Sequence, residues 1–183
     1  MLVAGIDPSL SNFGLCKGTF TGAFDLSELR LISPTSDKKN KKQVRVNSDD
    51  LRRAQELHAG MTQFLLGVNL AFVEIPVGSQ SARAMASYGI CVGLLASIQI
   101  PIIQVTPAEV KIAATGSKTA TKNEMIHWAV SQYSDADWLT TRRGGQDVVT
   151  NKNEHLADAV AAVHAGVKTD TFQQLLSFQR RIA

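Results

Sequence analysis

Leu2-Val3-Ala4-Gly5-Ile6-Asp7-Pro8-Ser9, at the start of the chain, is the stretch that decides its fold. The apolar run predicts a buried strand over residues 2–7, and the turn-prone residues after it predict a return strand over residues 13–20. This spacing favours an antiparallel hairpin. Asp7 ends the apolar run, where an unpaired carboxylate is costly to bury. We therefore expect Asp7 to have a cationic partner or a metal ion.

Two more acids occupy comparable positions further along the chain. Glu74 ends the apolar run of residues 70–73, and Asp158 lies in the helical pattern of residues 153–166. Two acids on strands and one on a helix can meet only through folding. Three converging carboxylates suit divalent-metal chemistry on phosphate groups. Taken singly, each acid has a plainer interpretation, as a strand-end turn residue, a salt-bridged strand end or a solvated helix residue.

The remaining pattern predicts an α/β layered domain, with a five-stranded mixed sheet flanked by helices. Additional strands are expected at residues 26–33, 70–74 and 102–105. Helices are expected from Ser48-Asp49-Asp50 onward and over residues 80–98, 120–133, 153–166 and 169–181. Residues 134–152 are expected to form a long irregular loop. No repeat or change of composition divides the chain, so we expect one domain over residues 1–183.

Stripes of residues at helical spacing predict which faces two of these helices bury. The first helix is expected to turn inward Leu51, Ala54, Leu57, Met61, Phe64 and Leu65. The second has a core face of Ile90, Leu94 and Ile98 and a separate stripe of small residues, Ala82, Ala86, Gly89 and Gly93. Small side chains permit close approach by another element, either the chain's own sheet or a helix of a second copy.

Composition and charge narrow the class of protein. A formal net charge of +3 and a pI near 9.0 are compatible with a nucleic-acid partner without requiring one. Cys16 and Cys91 lie in apolar surroundings, which predicts buried thiols in a reducing compartment and neither a disulfide framework nor a zinc site. No apolar run approaches the roughly 20 residues that cross a bilayer, and no signal-peptide pattern is present. We expect a cytoplasmic protein without membrane contact.

The helix predicted over residues 153–166 carries a polar cluster on its first turns. Glu154 and Asp158 stack one turn apart, and His155 and Asp158 are neighbours at i and i+3, so all three can point into one site. Asn153 is the expected N-cap, which places the cluster where the helix dipole favours anions. Glu154 is expected to serve that dipole and not to bind metal. His155 is either an exposed helix residue or a metal ligand and proton shuttle. The core face is defined by Leu156, Val160, Val163 and Val167.

Taken together, these residues resemble the RuvC-type Holliday junction resolvases of the ribonuclease H-like nuclease superfamily. The resemblance covers nearly the whole chain and implies a ribonuclease H-like fold. It also implies a dimeric, magnesium-dependent endonuclease that cuts four-way DNA junctions by paired, symmetric nicks, and hence a protein of a bacterial cell, of bacterial or viral origin. The motifs that carry it, in chain order, are Gly5-Ile6-Asp7-Pro8-Ser9 with Gly14, Phe72-Val73-Glu74, Val105-Thr106-Pro107-Ala108-Glu109-Val110-Lys111, Gly116-Ser117 with Lys122, and His155-Leu156-Ala157-Asp158-Ala159.

Two positions depart from the family's usual pattern. The family often has aspartate where His155 stands, although histidine also fits its pattern. Several relatives place an aromatic residue after the position of Glu74 to meet the junction centre, whereas this chain has Ile75-Pro76-Val77-Gly78. A reduced reliance on base stacking at the crossover is expected.

The resemblance implies roles for the site residues. Asp7, Glu74, His155 and Asp158 would hold magnesium, two ions in each site with Asp7 between them, and manganese would be able to substitute. Water would attack the phosphodiester in line. Lys122 would stabilise charge in the transition state and so complete the catalytic set. The helix over residues 80–98 would lie at the homodimer interface. No branch-migration partner can be identified from the sequence.

Three groups of cations are candidate DNA contacts. Lys111, Lys118 and Lys122 surround the turn Thr115-Gly116-Ser117, which can offer ammonium and backbone N–H groups to a phosphate, and the family places lysines at the first and third positions near the scissile strand. A second tract is either solvated surface or a basic arm along DNA. A third group lies beside two glycines and Trp138. This composition suits contact with the DNA backbone and base stacking, and the alternative is a local insertion in which Trp138 packs on its neighbours. The second tract consists of Lys38, Lys39, Lys41, Lys42 and Arg45, and the third of Arg142 and Arg143.

Other functions share parts of this pattern. A broader nuclease acting on flaps, forks or RNA–DNA hybrids would use the same acids. A non-catalytic DNA-binding or assembly protein would have no need of all of them. Sugar kinases and actin-like ATPases also begin with a strand, an aspartate and a glycine turn, but they need two such domains in a far longer chain, and no second copy occurs here.

Overall fold

The first two strands pair as the sequence predicts. In the computed structural model, which describes residues 1–36, 43–75, 78 and 80–182, and only the backbone of 43–45 and 182, β1 (Leu2–Asp7) and β2 (Phe13–Phe20) run antiparallel. Asp7 lies opposite Gly14 in this hairpin. A third strand, β3 (Phe24–Ile32), pairs antiparallel with β2 and forms one edge of the sheet.

Two parallel strands complete the main sheet. β4 (Leu70–Glu74) pairs parallel with β1, and β5 (Ile102–Val105) pairs parallel with β4. The resulting order is β3-β2-β1-β4-β5, which confirms the predicted five-stranded mixed sheet. Since β1 and β4 are adjacent and parallel, their carboxyl ends, and with them Asp7 and Glu74, meet at one edge of the sheet.

Helices cover both faces of the main sheet. On one face lie α1 (Gln43–Phe64) and α2 (Ala82–Ala96), and on the other α3 (Pro107–Thr115), α4 (Lys122–Gln132), α5 (Asn153–Gly166) and α6 (Asp170–Ile182). The two cores alternate along β1, where Val3 faces the α5 side and Ala4 faces the α1 side. Burial on both faces is why β1 and β4 appear in the sequence as continuous apolar runs.

The start and the buried face of α1 differ from the prediction. The helix begins at Gln43, upstream of the expected start at Ser48-Asp49-Asp50. Leu51, expected in the core, is 61% exposed, whereas Asp50 and Arg53 are buried. Positions 50, 53 and 57 fall at i, i+3 and i+7, so Asp50 and Arg53 lie on the same buried face of α1 as Leu57. The buried face of α1 was predicted wrongly because only apolar residues were assigned to it, whereas a paired acid and base can also occupy core positions.

Helix α3 was not predicted, although its signals are present in the sequence. Thr106 caps it by accepting from the backbone N–H of Glu109, while the Glu109 side chain accepts from the backbone of Thr106. Pro107 follows the cap, where its missing N–H costs nothing. The helix ends at Gly116, whose φ of 76° favours glycine.

The segment 134–152 contains a β-hairpin, so the prediction of an irregular loop is wrong for residues 140–149. β6 (Thr140–Arg143) and β7 (Gln146–Val149) form a second, two-stranded antiparallel sheet. The turn between them is Gly144-Gly145, with φ values of 58° and 83°. Two consecutive positive φ angles are what a tight two-residue hairpin turn requires, and glycine adopts them without strain. Trp138 is buried and donates its indole N–H to the Tyr133 carbonyl at 2.7 Å, which confirms local packing.

Both cysteines lie in the core, as their apolar surroundings in the sequence predicted. Cys16 and Cys91 are buried and free of disulfides. Burial raises the pKa of Cys16 to about 12 and that of Cys91 to about 11, so both remain thiols at neutral pH. Within the described ranges, none of the helices combines the length and the apolarity needed to span a membrane.

Candidate active site

Four predicted site residues converge at the carboxyl edge of the main sheet. Asp7 and Glu74 end β1 and β4, and α5 crosses this edge with His155 and Asp158 on its first turns. Their charges act on one another: Asp7 influences the pKa of each of the other three. The fold therefore brings together two strand ends and one helix that are far apart in the sequence.

Two glycines allow α5 to lie directly against the β1–β2 hairpin. A Cβ atom at Gly14 would stand 2.1 Å from the backbone oxygen of His155, and one at Gly5 would stand 2.0 Å from that of Ala159. Neither distance is possible for a real side chain, so these positions fix how closely the helix approaches Asp7. The glycines that frame Asp7 in the sequence thus place the helix that carries the other half of the site.

A short hydrogen bond joins His155 to Asp7 at the centre of the candidate site. Nδ1 of His155 lies 2.6 Å from Oδ2 of Asp7, and the two side chains are only 19% and 14% exposed. Burial raises the pKa of Asp7, and the hydrogen bond from His155 offsets only part of the rise. Burial lowers the pKa of His155, but the hydrogen bond and charge of Asp7 outweigh it, and the net shift is upward. The pair therefore favours keeping a proton between its two side chains.

Glu74 and Asp158 are the acids most strongly affected by their surroundings. Burial, followed by the charges of Asp7 and Asp158, raises the pKa of Glu74 to about 9. Burial, followed by the charge of Asp7, raises the pKa of Asp158 to about 7. Both shifts mean that ionising all three acids is unfavourable unless a cation lies among them. Acids with strongly raised pKa values that cluster in this way are a feature of functional sites.

The donor set suits a divalent cation by its chemistry. Three carboxylates and one imidazole match magnesium or manganese, which prefer oxygen ligands and, for manganese, accept nitrogen. Across the described part of the chain, however, no three His, Cys, Asp or Glu side chains are arranged to ligate an ion as they stand. Two of the four candidate ligands, His155 and Asp7, are hydrogen-bonded to each other in this arrangement.

Two lysines approach the acids from the α3–α4 side. Nζ of Lys122 lies 2.6 Å from Oε1 of Glu154, and this hydrogen bond, followed by the charge of Glu154, raises the pKa of Lys122. Lys111 on α3 is half-buried, and its charge lowers the pKa of both Glu74 and Asp158 against the larger effect of burial. Glu154 therefore positions a cation at the edge of the site, as well as standing in the first turn of α5.

The other predicted DNA contacts lie away from the acids or outside the described residues. Lys118 is exposed on the turn between α3 and α4, and Arg142 and Arg143 are exposed on β6. Pro76 and Val77, in the segment after Glu74, lie outside the described residues. The same holds for Lys38, Lys39, Lys41 and Lys42 and for the side chain of Arg45.

Asn153 has a different role from the predicted N-cap. The capping position is Lys152, which makes no side-chain capping hydrogen bond. The buried side-chain amide of Asn153 instead accepts from the backbone N–H of Leu139 at 2.9 Å and donates to the carbonyls of Leu139 at 2.7 Å and Thr150 at 2.9 Å. It ties the base of the β6–β7 hairpin to the start of the helix that carries His155 and Asp158.

A buried charged cluster behind the Asp7 loop was not predicted. Arg53 donates to the carbonyl of Leu10 at 2.9 Å and to Oγ of Ser11 at 3.0 Å, and so holds the loop that follows Asp7. Asp50 lies 3.7 Å from Arg53 and also accepts from Arg83 of α2. The sequence signal was the placement of Asp50 and Arg53 in line with the apolar stripe of α1, since charges on a core face indicate a buried ion pair.

Comparison with solved structures relates this architecture to known proteins. RuvC of T. thermophilus in complex with a Holliday junction substrate superposes with a TM-score of 0.64 at 22% identity, covering 97% of this chain and 96% of that one. The Thermus thermophilus RuvC structure superposes with a TM-score of 0.60, also at 22% identity, over 97% of each chain. The chain has the RuvC fold. The predicted ribonuclease H-like arrangement is thereby confirmed.

A viral protein shares the arrangement more distantly. The Fowlpox virus resolvase, solved with its substrate Holliday junction DNA, gives a TM-score of 0.50 at 13% identity, over 96% of this chain and 99% of that one. No protein-family model matches the sequence, and a search of curated proteins finds no match either. At these identities the RuvC fold is established by shape, and the chemistry depends on which residues the chain places at the carboxyl edge of its sheet.

Proposed function

We propose that the chain is a divalent-metal-dependent endonuclease that resolves four-way DNA junctions by paired nicks, with residues 1–183 acting as one nuclease domain. The observation that carries the proposal is the meeting of Asp7, Glu74, His155 and Asp158 at the carboxyl edge of a RuvC-fold sheet. The solved RuvC and Fowlpox virus resolvase complexes hold Holliday junction DNA, which supports a branched substrate. A cytoplasmic location in a bacterial cell stays a prediction.

Asp7, Glu74, Asp158 and His155 would hold the metal, magnesium or manganese and two ions when fully loaded. A bound divalent cation supplies Lewis-acid activation of the attacking water and neutralises charge that develops on the phosphate. The proposal rests on the acids being buried and on the pKa of Glu74 rising to about 9, since such a cluster ionises favourably only around cations.

The other residues would move protons and balance charge. His155, held by Asp7 at 2.6 Å and only partly exposed, can take up or release a proton beside the reacting phosphate. Lys122, placed by Glu154, would stabilise the negative charge that develops in the transition state. Lys111 would keep Glu74 and Asp158 closer to their ionised forms. Contact of DNA with Lys118 and with the tract around Lys38, Lys39, Lys41 and Lys42 stays a prediction.

A homodimer built on α2 is part of the proposal. Among the described residues, a Cβ at Gly89 or Gly93 would meet no atom within 4 Å, so packing of these two glycines on the chain's own sheet, one of the two interpretations, is wrong. Met85 and Val92 on the same side of the helix are 42% and 39% exposed. Two copies meeting on this face would give a two-fold enzyme that matches the symmetry of a four-way junction.

The deciding experiment compares cutting of a four-way junction, a flap, a duplex and an RNA–DNA hybrid, with magnesium and with a chelator. We expect paired nicks in the junction only with metal. Asp7→Asn, Glu74→Gln and Asp158→Asn should each bind the junction without cutting it, because the amides keep the shape but lose the charge that holds cations. Asp137→Asn, the same change at an exposed acid, should cut normally.

Each other outcome identifies a different function. Near wild-type cutting by the Asp7 or Asp158 variant would remove the metal-site assignment. Equal cutting of flaps or hybrids would support the broader nuclease, for which the non-aromatic segment Ile75-Pro76-Val77-Gly78 is the relevant sequence feature. Junction binding without cutting in either magnesium or manganese would identify a non-catalytic DNA-binding protein.

A further inference from the structure

The β6–β7 hairpin directly precedes α5, the helix that carries His155 and Asp158, along the chain. All eight residues of its two strands are exposed, and the strands form a sheet separate from the main one. Its base is nevertheless fixed, because Thr150 donates its backbone N–H to the Leu139 carbonyl at 2.9 Å and Asn153 bonds both residues. A two-stranded hairpin is only marginally stable alone, so exposed strands on a fixed base suit a binding element.

The two faces of the hairpin differ in charge. The register pairs Arg142 with Asp147 and Arg143 with Gln146. Directly opposite residues share a face, so Arg142 and Asp147 lie on one face and Arg143 and Gln146 on the other. Val149, on the face of Arg142, lines a cavity together with residues of α4. The face turned away from α4 is therefore free of acids, and it consists of Thr141, Arg143, Gln146 and Val148.

The hairpin is separated from the helix that carries His155 by only a few residues, and its length is comparable to the width of a DNA groove. β7 ends at Val149, and α5, which carries His155, begins four residues later at Asn153. Strands of four residues extend the hairpin by about 13 Å from its base. Over residues 140–152 the cations Arg142, Arg143 and Lys152 stand against the single acid Asp147. The surface thus combines a net positive charge with a reach of about one DNA groove width.

We propose that the β6–β7 hairpin is a DNA-reading ribbon that enters the major groove of a duplex arm beside the cleavage site, with the face of Arg143 and Gln146 turned toward the base edges. The inference rests on the proposed function for the identity of the partner. The major groove, about 12 Å wide, admits a two-stranded ribbon. Arginine and glutamine present paired donor or donor–acceptor groups to guanine and adenine there.

The test measures DNA binding in the Asp7→Asn background, so that cutting does not interfere. Arg143→Ala/Gln146→Ala is compared with Arg142→Ala, which removes the same charge from the opposite face. Binding to a four-way junction and to a duplex of the same arm sequence is titrated for each protein. We expect the double change to weaken junction binding by about tenfold, the loss of one good base-edge contact, and the single change to weaken it less. Equal melting temperatures for the three proteins would show that the exposed changes leave the fold intact.

Methylation interference identifies the groove. Dimethyl sulfate modifies guanine N7 in the major groove and adenine N3 in the minor groove. We expect N7 methylation at a few positions of one arm to block binding, and this effect to disappear with Arg143→Ala/Gln146→Ala but to persist with Arg142→Ala. Interference confined to adenine N3 would overturn the proposal in favour of minor-groove contact. Unchanged binding and interference in the double variant would overturn it and leave the hairpin as a surface for a protein strand or as a bare insertion.

The two proposals fail in different ways. If the wild-type protein cuts junctions but the double variant binds and cuts as well as the wild type, only the ribbon proposal is lost. If the wild-type protein prefers duplex to junction DNA, the resolvase function is lost, while N7 interference that depends on Arg143 would still support the ribbon.

Discussion

At the scale of single residues, His155 departs most from a site built of acids alone. Its Nδ1 lies 2.6 Å from Asp7, which ties an imidazole to the acid at the end of β1. Imidazole is a poorer ligand than carboxylate for magnesium and a better one for manganese. The identity of this side chain should therefore affect which metal supports cutting.

We predict that His155→Asp retains cutting in magnesium and lowers any preference for manganese, and that His155→Ala cuts poorly in magnesium and is partly rescued by manganese. The reason is that aspartate restores an oxygen ligand, whereas alanine leaves the ligand set incomplete. Single-turnover rates for the three proteins in each metal measure the effect. An alanine variant as active as the wild type in both metals would place His155 outside the catalytic set.

Glu74 shows how a site can oppose stability. Burial and the charges of Asp7 and Asp158 disfavour its carboxylate, so the metal-free protein holds it at a cost. We predict that, in the presence of a chelator, Glu74→Gln has a free energy of unfolding higher than that of the wild type by an amount on the order of 1–3 kcal/mol. The variant should therefore melt at a higher temperature. Magnesium should raise the melting temperature of the wild type and not that of the variant, since only the former gains ligand binding. A chelated variant less stable than the wild type would contradict the prediction.

His164, away from the site, should make the stability depend on pH. Burial, followed by the charge of Lys168, lowers the pKa of His164, whose Nε2 lies 2.8 Å from the Tyr133 hydroxyl among the rings of Phe24 and Trp128. Because the unfolded chain protonates near pH 6.5 and the folded protein only at lower pH, this contribution is full above about 6.5 and is lost as the pH falls.

We predict that the stability advantage of the wild type over His164→Gln shrinks between pH 7.5 and pH 5, by about 1.4 kcal/mol for each pH unit between the unfolded and folded pKa values. Chemical unfolding at several pH values measures it. His127→Gln, the same change at an exposed histidine, serves as the control. A difference between wild type and His164→Gln that stays constant over this range would mean that the partly buried ring does not titrate with unfolding.

At the scale of elements, the contact of α5 with the β1–β2 hairpin builds the site. The helix approaches so closely that Gly14 has no room for a Cβ beside the carbonyl of His155. Gly60 in α1 is also crowded, but its neighbour is the tip of the flexible Ile32 side chain at 2.5 Å. The same added methyl group therefore meets a rigid backbone in one case and a movable side chain in the other.

We predict that Gly14→Ala displaces the start of α5, lowers stability by about 1–3 kcal/mol and abolishes most cutting, whereas Gly60→Ala is tolerated. Thermal unfolding and junction cleavage by the two variants measure these effects. If Gly14→Ala proved as stable and active as the wild type, the close approach of α5 would not be what positions His155.

At the scale of the whole molecule, paired cutting of a four-way junction calls for two-fold symmetry, which requires two copies of the chain. The open glycines and exposed Met85 of α2 form a face with room for a second copy. We predict a dimer at micromolar concentration and a shift toward monomer for Gly89→Leu, because overpacking a close contact costs about 1–3 kcal/mol. Sedimentation of both proteins, free and junction-bound, measures it. A wild-type monomer in both conditions would exclude the dimer.

The sequence alone determined the elements whose signals are local. The apolar runs ending at Asp7 and Glu74 predicted β1 and β4, because continuous apolarity is the direct consequence of burial on both faces. The capping box at Thr106 carried the same kind of local signal for α3, although the helix was missed. The turn at Gly144-Gly145 carried a local signal for the β6–β7 hairpin, which was likewise missed.

Only the tertiary structure decided which polar side chains meet. Asp50 and Arg53 occupy core positions because they pair with each other, with Arg83 and with the loop after Asp7, a fact that the apolar stripe of α1 concealed. Asn153 turned from an expected cap into the anchor of the hairpin for the same reason. Hydrogen bonds and ion pairs between distant segments depend on the three-dimensional placement of both partners, whereas burial of an apolar run depends mainly on the run itself.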